Sequence, residues 1–182
     1  MAATTSRSSK HRAPDLSSGW RRHQVRLRKS LRRVRCSCLM VLSPLMSIFS
    51  HVMELPQSRR PKSIRFVYAS KTAGSPILAS EILFLQRLMK LVNKAPDGTA
   101  KLDLYLTAAS EDDVSCAEGL PSHVKCRRIG PADLDKALGD VSHRHSTVCY
   151  VCGPPRMTDI FVDFLSSRTG MERGRVLCEK WW

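Results

Sequence analysis

Thr147-Val148-Cys149-Tyr150-Val151-Cys152-Gly153-Pro154-Pro155-Arg156-Met157-Thr158-Asp159 is the stretch that decides the fold of this 182-residue chain. It opens with a short apolar, β-branched run, the pattern of a strand buried in a parallel sheet. Gly153 lets a ligand or another backbone come close, and Pro155 suits the first residue of a helix. Strand, glycine, helix start is how an α/β sheet offers amide N–H groups and a positive dipole end to a phosphate. Nucleotide-dependent chemistry is expected here.

Working outward, strands and helices alternate. A strand over 36–42 leads to a helix over 44–55 with Pro44 at its first position. A strand over 63–70 precedes a helix that Ser75 caps, with Pro76 at its first turn, running to about Asn93. Leu102, Leu104 and Leu106 alternate with Asp103 and Tyr105 in a strand close to a sheet edge. Residues 110–121 read as an acidic surface loop, 123–128 as a weak strand or extended piece and 131–138 as a short helix. A helix from Pro155 to about Ser167 turns Ile160, Phe161, Phe164 and Leu165 toward the core, and 175–179 form the last strand. Such alternation predicts an α/β fold whose parallel sheet is covered on both faces.

Charge is unevenly spread. Of the formal +14, residues 1–35 carry +10, from 11 Lys/Arg and one acid, Asp15. The chain therefore divides into a basic tail, 1–35, and a near-neutral domain, 36–182. The tail is Ser- and Arg-rich with few large apolar residues, so it reads as disordered when unbound. Its composition is that of a mitochondrial transit peptide. A contact of Arg21, Arg22, Arg26, Arg28, Lys29, Arg32, Arg33 and Arg35 with nucleic acid or an acidic membrane competes with that reading, as does a solvated tail without a role.

Seven cysteines without a secretory signal favour reduced thiols over a disulfide framework. Cys149 and Cys152 form C-x-x-C, but residues three apart on a strand point to opposite faces, so the two thiols are not expected to meet. No second C-x-x-C exists to complete a zinc site, and no metal is expected. Residues 36–53 lack Asp, Glu, Lys and Arg for 18 positions, the lower limit for a membrane span. Several serines and a central Pro44 dilute that stretch; a buried strand running into a buried helix is the preferred reading, and no membrane partner is expected.

Tyr150-Val151-Cys152-Gly153-Pro154-Pro155, Met157-Thr158-Asp159 and the final Glu179-Lys180-Trp181-Trp182 together resemble the nicotinamide-binding half of ferredoxin-NADP reductase-type flavoenzymes. Ser43 to Ile48, Phe66 to Lys71 and Ser80 to Phe84 extend the likeness over roughly 39–182. The resemblance implies a five-stranded doubly wound, Rossmann-like sheet of order 3-2-1-4-5, with the loops after residues 42 and 152 facing one crevice. It implies cofactor contacts from Ser43, Pro44, Ser70, Lys71, Cys152, Gly153, Pro154, Pro155 and Trp182. Cys152 would orient the nicotinamide; as a residue it also suits a small buried hydrophobe. Hydride transfer between nicotinamide and flavin would need no acid–base side chain, so no catalytic residue is expected.

Two departures qualify the resemblance. The family places a flavin-binding barrel of roughly a hundred residues, an ordinary domain size, before this domain, and here the basic tail precedes it. Flavin would then come from another domain or chain, as in a truncated isoform. The family's glycine-rich first loop is replaced by Cys38 to Pro44, where Leu39 and Val41 would crowd a pyrophosphate. Weakened dinucleotide affinity is expected. Glu111, Asp112 and Asp113 would repel a 2′-phosphate, favouring NAD over NADP. The leading expectation is an NAD-binding oxidoreductase module acting with a flavoprotein or electron-transfer partner, mitochondrial or otherwise cytoplasmic. The alternatives are a non-catalytic remnant or interaction module and a basic-tailed nucleic-acid-binding adaptor.

Overall fold

Among the described residues of the computed structural model, eleven elements follow one another. The structure describes residues 36–40, 56, 60–72, 77–96, 98–115, 117–121, 123–172 and 174–180, with the backbone alone for 36–40 and 180. The first half contains β1 (Cys36–Met40), β2 (Ile64–Lys71), α1 (Leu85–Lys94), β3 (Ala100–Thr107) and α2 (Glu111–Ser115). The second contains β4 (Val124–Lys125), α3 (Pro131–Leu138), α4 (Val141–Arg144), β5 (Thr147–Gly153), α5 (Pro155–Ser166) and β6 (Val176–Lys180).

Every strand pairing is parallel, and the order is β4-β3-β2-β1-β5-β6. The α/β class with parallel strands is thus as expected. Six strands pair where five are expected, because the two-residue β4 adds an edge beside β3. Val124 and Lys125 fall within 123–128, where the sequence predicts a weak strand or extended piece without placing it in the sheet.

Period-two alternation divides the core between the two faces. On one face Phe66, Tyr68, Leu104, Leu106, Tyr150 and Cys152 pack with Leu85 and Leu88 of α1. On the other, Val67, Tyr105, Cys149 and Val151 meet Leu134 and Leu138 of α3 and Leu165 of α5. Burying each large side chain contributes about 1.5–3 kcal/mol, more than a helix cap's roughly 1 kcal/mol. The sheet-helix interfaces therefore decide where the helices lie.

Local structure departs from expectation in three places. α1 begins at Leu85 because Phe84 adopts left-handed backbone, φ 63°. Residues ahead of it form turns: Tyr68 Oη donates to the carbonyl of Leu83, and Leu78 bridges Glu118. Ile77 and Ile82 are buried from those turns, so their spacing imitates a helix without one. The expected cap, Ser75 with Pro76, lies outside the described residues. Within the acidic stretch, Ser110 and Asp113 cap α2 reciprocally, amide to side chain at 2.9 and 3.1 Å. Ile160 is 56% exposed rather than core-facing, and Thr158 and Leu165 are the fully buried residues of α5.

Candidate functional site

Because all six strands run the same way, their C-terminal ends share one rim of the sheet. Strand order reverses between β1 and β5, which is where ligands of open α/β sheets lie. The described part of β1 ends at Met40, level with Phe66 and Tyr150. β2 continues to Lys71 and β5 to Gly153, so these two flank the reversal point.

The turn after β5 is built by its prolines. Pro154 holds extended backbone, φ −55° and ψ 142°, and Pro155 starts α5. Neither has an N–H. The first helical bond runs from Thr158 N to the Pro154 carbonyl, 3.0 Å. The amides of Arg156 and Met157 are therefore the first donors at the helix end. Pro154, Pro155 and Arg156 are all exposed. Arg156 adds an exposed guanidinium at the positive end of a twelve-residue helix. Sequence reasoning passed over it; the signal was the Pro-Pro pair, which moves the first donor to position 156.

Gly153 does other work. A Cβ there would run into Met157 Cε, pointing at α5 rather than at the rim. Thr158, fully buried, donates its hydroxyl to the Gly153 carbonyl at 3.2 Å. The glycine thus leaves room for the flexible end of Met157, whose thioether and methyl lie over it. Cys152 is fully buried on the α1 side of the sheet, among the residues packed with Tyr150. Cys149 faces α3 and α5, so the C-x-x-C pair is split across the sheet as its spacing demands, and no disulfide joins the described cysteines. No described group of His, Cys, Asp and Glu converges to hold a metal ion.

Beside Cys152, Tyr150 Oη donates to Glu179 Oε2 at 2.6 Å. Burial, reinforced by that carboxylate, drives the Tyr150 hydroxyl far above its ordinary range. Burial likewise pushes Tyr68 up to about 12. Both phenols are neutral donors at neutral pH.

On the other flank, Ser70 is half-buried and its carbonyl accepts from Thr107 Oγ1 at 3.3 Å. Lys71 is exposed at the strand end. Two strand spacings, roughly 10 Å, separate it from Gly153. Glu111 and Asp112 open α2 just past the end of β3, whose next residue, Ala108, takes left-handed backbone at φ 71°. The rim thus gathers Ser70, Lys71, Gly153, Pro154, Pro155 and Arg156, with Cys152 beneath it in the core. Ser43, Pro44 and Trp182 lie outside the described residues.

The chain is similar to oxidoreductase NAD-binding domain-containing protein 1. It is 28% identical to the Bos taurus protein over 148 residues, covering 78% of this chain and 43% of that one. Identity to the Xenopus laevis protein is 29%, and to the Homo sapiens protein 28%, each covering 78% of this chain and 42% of the relative. The chain therefore spans less than half the length of these curated relatives. No protein-family model matches it. Among the described residues, no helix is long and apolar enough to cross a membrane.

Proposed function

We propose that this chain is the NAD-binding module of a flavin-dependent oxidoreductase, its five longer strands serving as a doubly wound, Rossmann-like nucleotide-binding sheet. The single observation that carries this reading is the turn at 153–156, with outward amides and an exposed arginine at the point of strand reversal. The names of the relatives support it. The residues fit a nicotinamide nucleotide: Arg156 and the amides of Arg156 and Met157 meet polar or phosphate oxygens, and Lys71 reaches the far flank. Nicotinamide would supply hydride to a flavin held by another domain or chain. This chain's part is to bind, orient and shield.

NAD is preferred to NADP because Glu111 and Asp112 stand at the start of α2, where a 2′-phosphate would meet like charge. Titrating NADH into the purified chain tests the reading: saturable binding is expected, and none at millimolar concentration overturns it. Arg156→Ala should weaken that binding about fivefold, roughly 1 kcal/mol for one charge-assisted contact. NADPH should bind more weakly than NADH, and Glu111→Arg should narrow the gap; an unchanged ratio counts against the NAD preference.

A second reading, a sheet retained as a non-catalytic interaction module, is favoured by the full burial of Cys152 and by Met157 filling the space over Gly153. The same titration separates the two. For the tail, mitochondrial import is the proposed role: residues 1–35 fused to a fluorescent reporter should carry it into mitochondria, and a cytosolic reporter refutes the assignment. Salt-sensitive nucleic-acid binding lost with those residues would instead identify an adaptor.

A further inference from the structure

We propose that β6 is the dimerisation edge of this protein, pairing antiparallel with β6 of a second copy so that one sheet runs through both. β6 closes the sheet order, and among the described residues no strand pairs with its outer side. Alternate residues of its five turn their backbone N–H and C=O groups outward, and Val176, Leu177 and Cys178 carry no charge to guard that edge. The opposite edge is guarded: β4 has two residues and is followed by Arg127 and Arg128.

The occupant follows from charge complementarity. Leu177 faces the α1 side of the sheet, whereas Val176 and Cys178 face the α3–α5 side. Arg175, Leu177 and Glu179 therefore share one side by alternation. Centring an antiparallel pair on Leu177 sets Arg175 opposite Glu179 of the second copy, twice over. It also sets Leu177 against Leu177 and Val176 against Cys178. Directly opposed side chains lie about 5 Å apart at Cβ, close enough for ion pairs to act. Both charged groups retain capacity: Arg175 meets Glu172 through Nε, and Glu179 meets Tyr150 through Oε2.

Sedimentation of the full chain is the test, and twice the 20.5 kDa chain mass is expected. Arg175→Glu and Glu179→Arg should each raise the dimer dissociation constant about tenfold or more, because two opposed pairs become like-charged together. Mixing these two variants should restore the dimer, since each then supplies what the other lacks. Val176→Cys should cross-link to Cys178 of the second copy under mild oxidation, within the reach of a disulfide. A monomeric parent chain overturns the proposal, as does a dimer indifferent to Arg175→Glu or a mixture that stays monomeric. Far-ultraviolet circular dichroism of each variant separates lost pairing from lost folding.

Discussion

At the β4 end of the sheet, charge holds the structure; at the β5–β6 end, close packing does. Around Asp133, Arg127 makes a two-pronged contact at 2.5 and 2.8 Å, Lys125 approaches at 3.3 Å, and the Gly130 amide donates at 2.9 Å. Lys125 also donates to Tyr105 Oη at 2.7 Å, while its ammonium and the Arg127 guanidinium lie over the Tyr105 ring at 4.6 and 5.5 Å. At the other end, Gly153 lies against the side chains of Met157 and Thr158. A two-residue strand buries too little to hold itself and needs ion pairs. A seven-residue strand buried throughout needs only shape.

The contrast is best broken where packing is tightest. Gly153→Val should cost the most, about 3 kcal/mol, the upper range for overpacking a filled core. Its measure is a fall in chemical-denaturation midpoint, and shortening Met157 to Ala in the same chain should recover part of the loss. Recovery absent, the collision is not the cause. Asp133→Ala should cost about 2 kcal/mol, the scale of hydrogen bonds to a charged group.

Asp133 also gives the β4 end an acid limit. Arg127, above all, holds its carboxyl well below the usual range, opposed by burial and helped by the Gly130 amide. A depressed folded value means the contribution is present above the ordinary carboxylate pKa, near 4, and lost as pH falls below it. Thermal melts from pH 6 downward should show that slope in the parent and a shallower one in Asp133→Ala; equal slopes would refute the assignment. The smallest effect belongs to Tyr150→Phe, about 1 kcal/mol for its bond to Glu179. Because the phenol's folded value is raised, this contribution holds below about pH 10 and disappears only in stronger alkali. Melting curves across that range, parent against variant, check both size and sign.

Much of the architecture was legible because long elements carry long patterns. Leu102, Leu104 and Leu106 announced one face of β3, and Pro155 marked the start of α5. The split of Cys149 from Cys152 followed from strand period alone. What escaped was short or made of turns. α2 hides in an acidic run, the place of the short β4 at the sheet edge was not foreseen, and Ile77 and Ile82 reach the core from turns that mimic helical spacing. At the rim, the Gly-Pro-Pro turn could be read directly. Arg156 could not be picked out from side-chain type; it emerges once the prolines are seen to lack donors. Gly153's partner is a methionine four positions on, a contact that depends on how closely helix and strand approach.

The pairing of β1 with β5 has a consequence for biosynthesis. Cys36 lies beside Thr147, so the middle of the sheet joins segments made far apart in time. Until the ribosome has released the later strand, the earlier one has only β2 for company and an unpaired edge. Such distant parallel pairing folds slowly and exposes sticky intermediates. Newly made chains should therefore lean on chaperones, and pulse-labelled protein should acquire protease resistance only after the whole length has been synthesised.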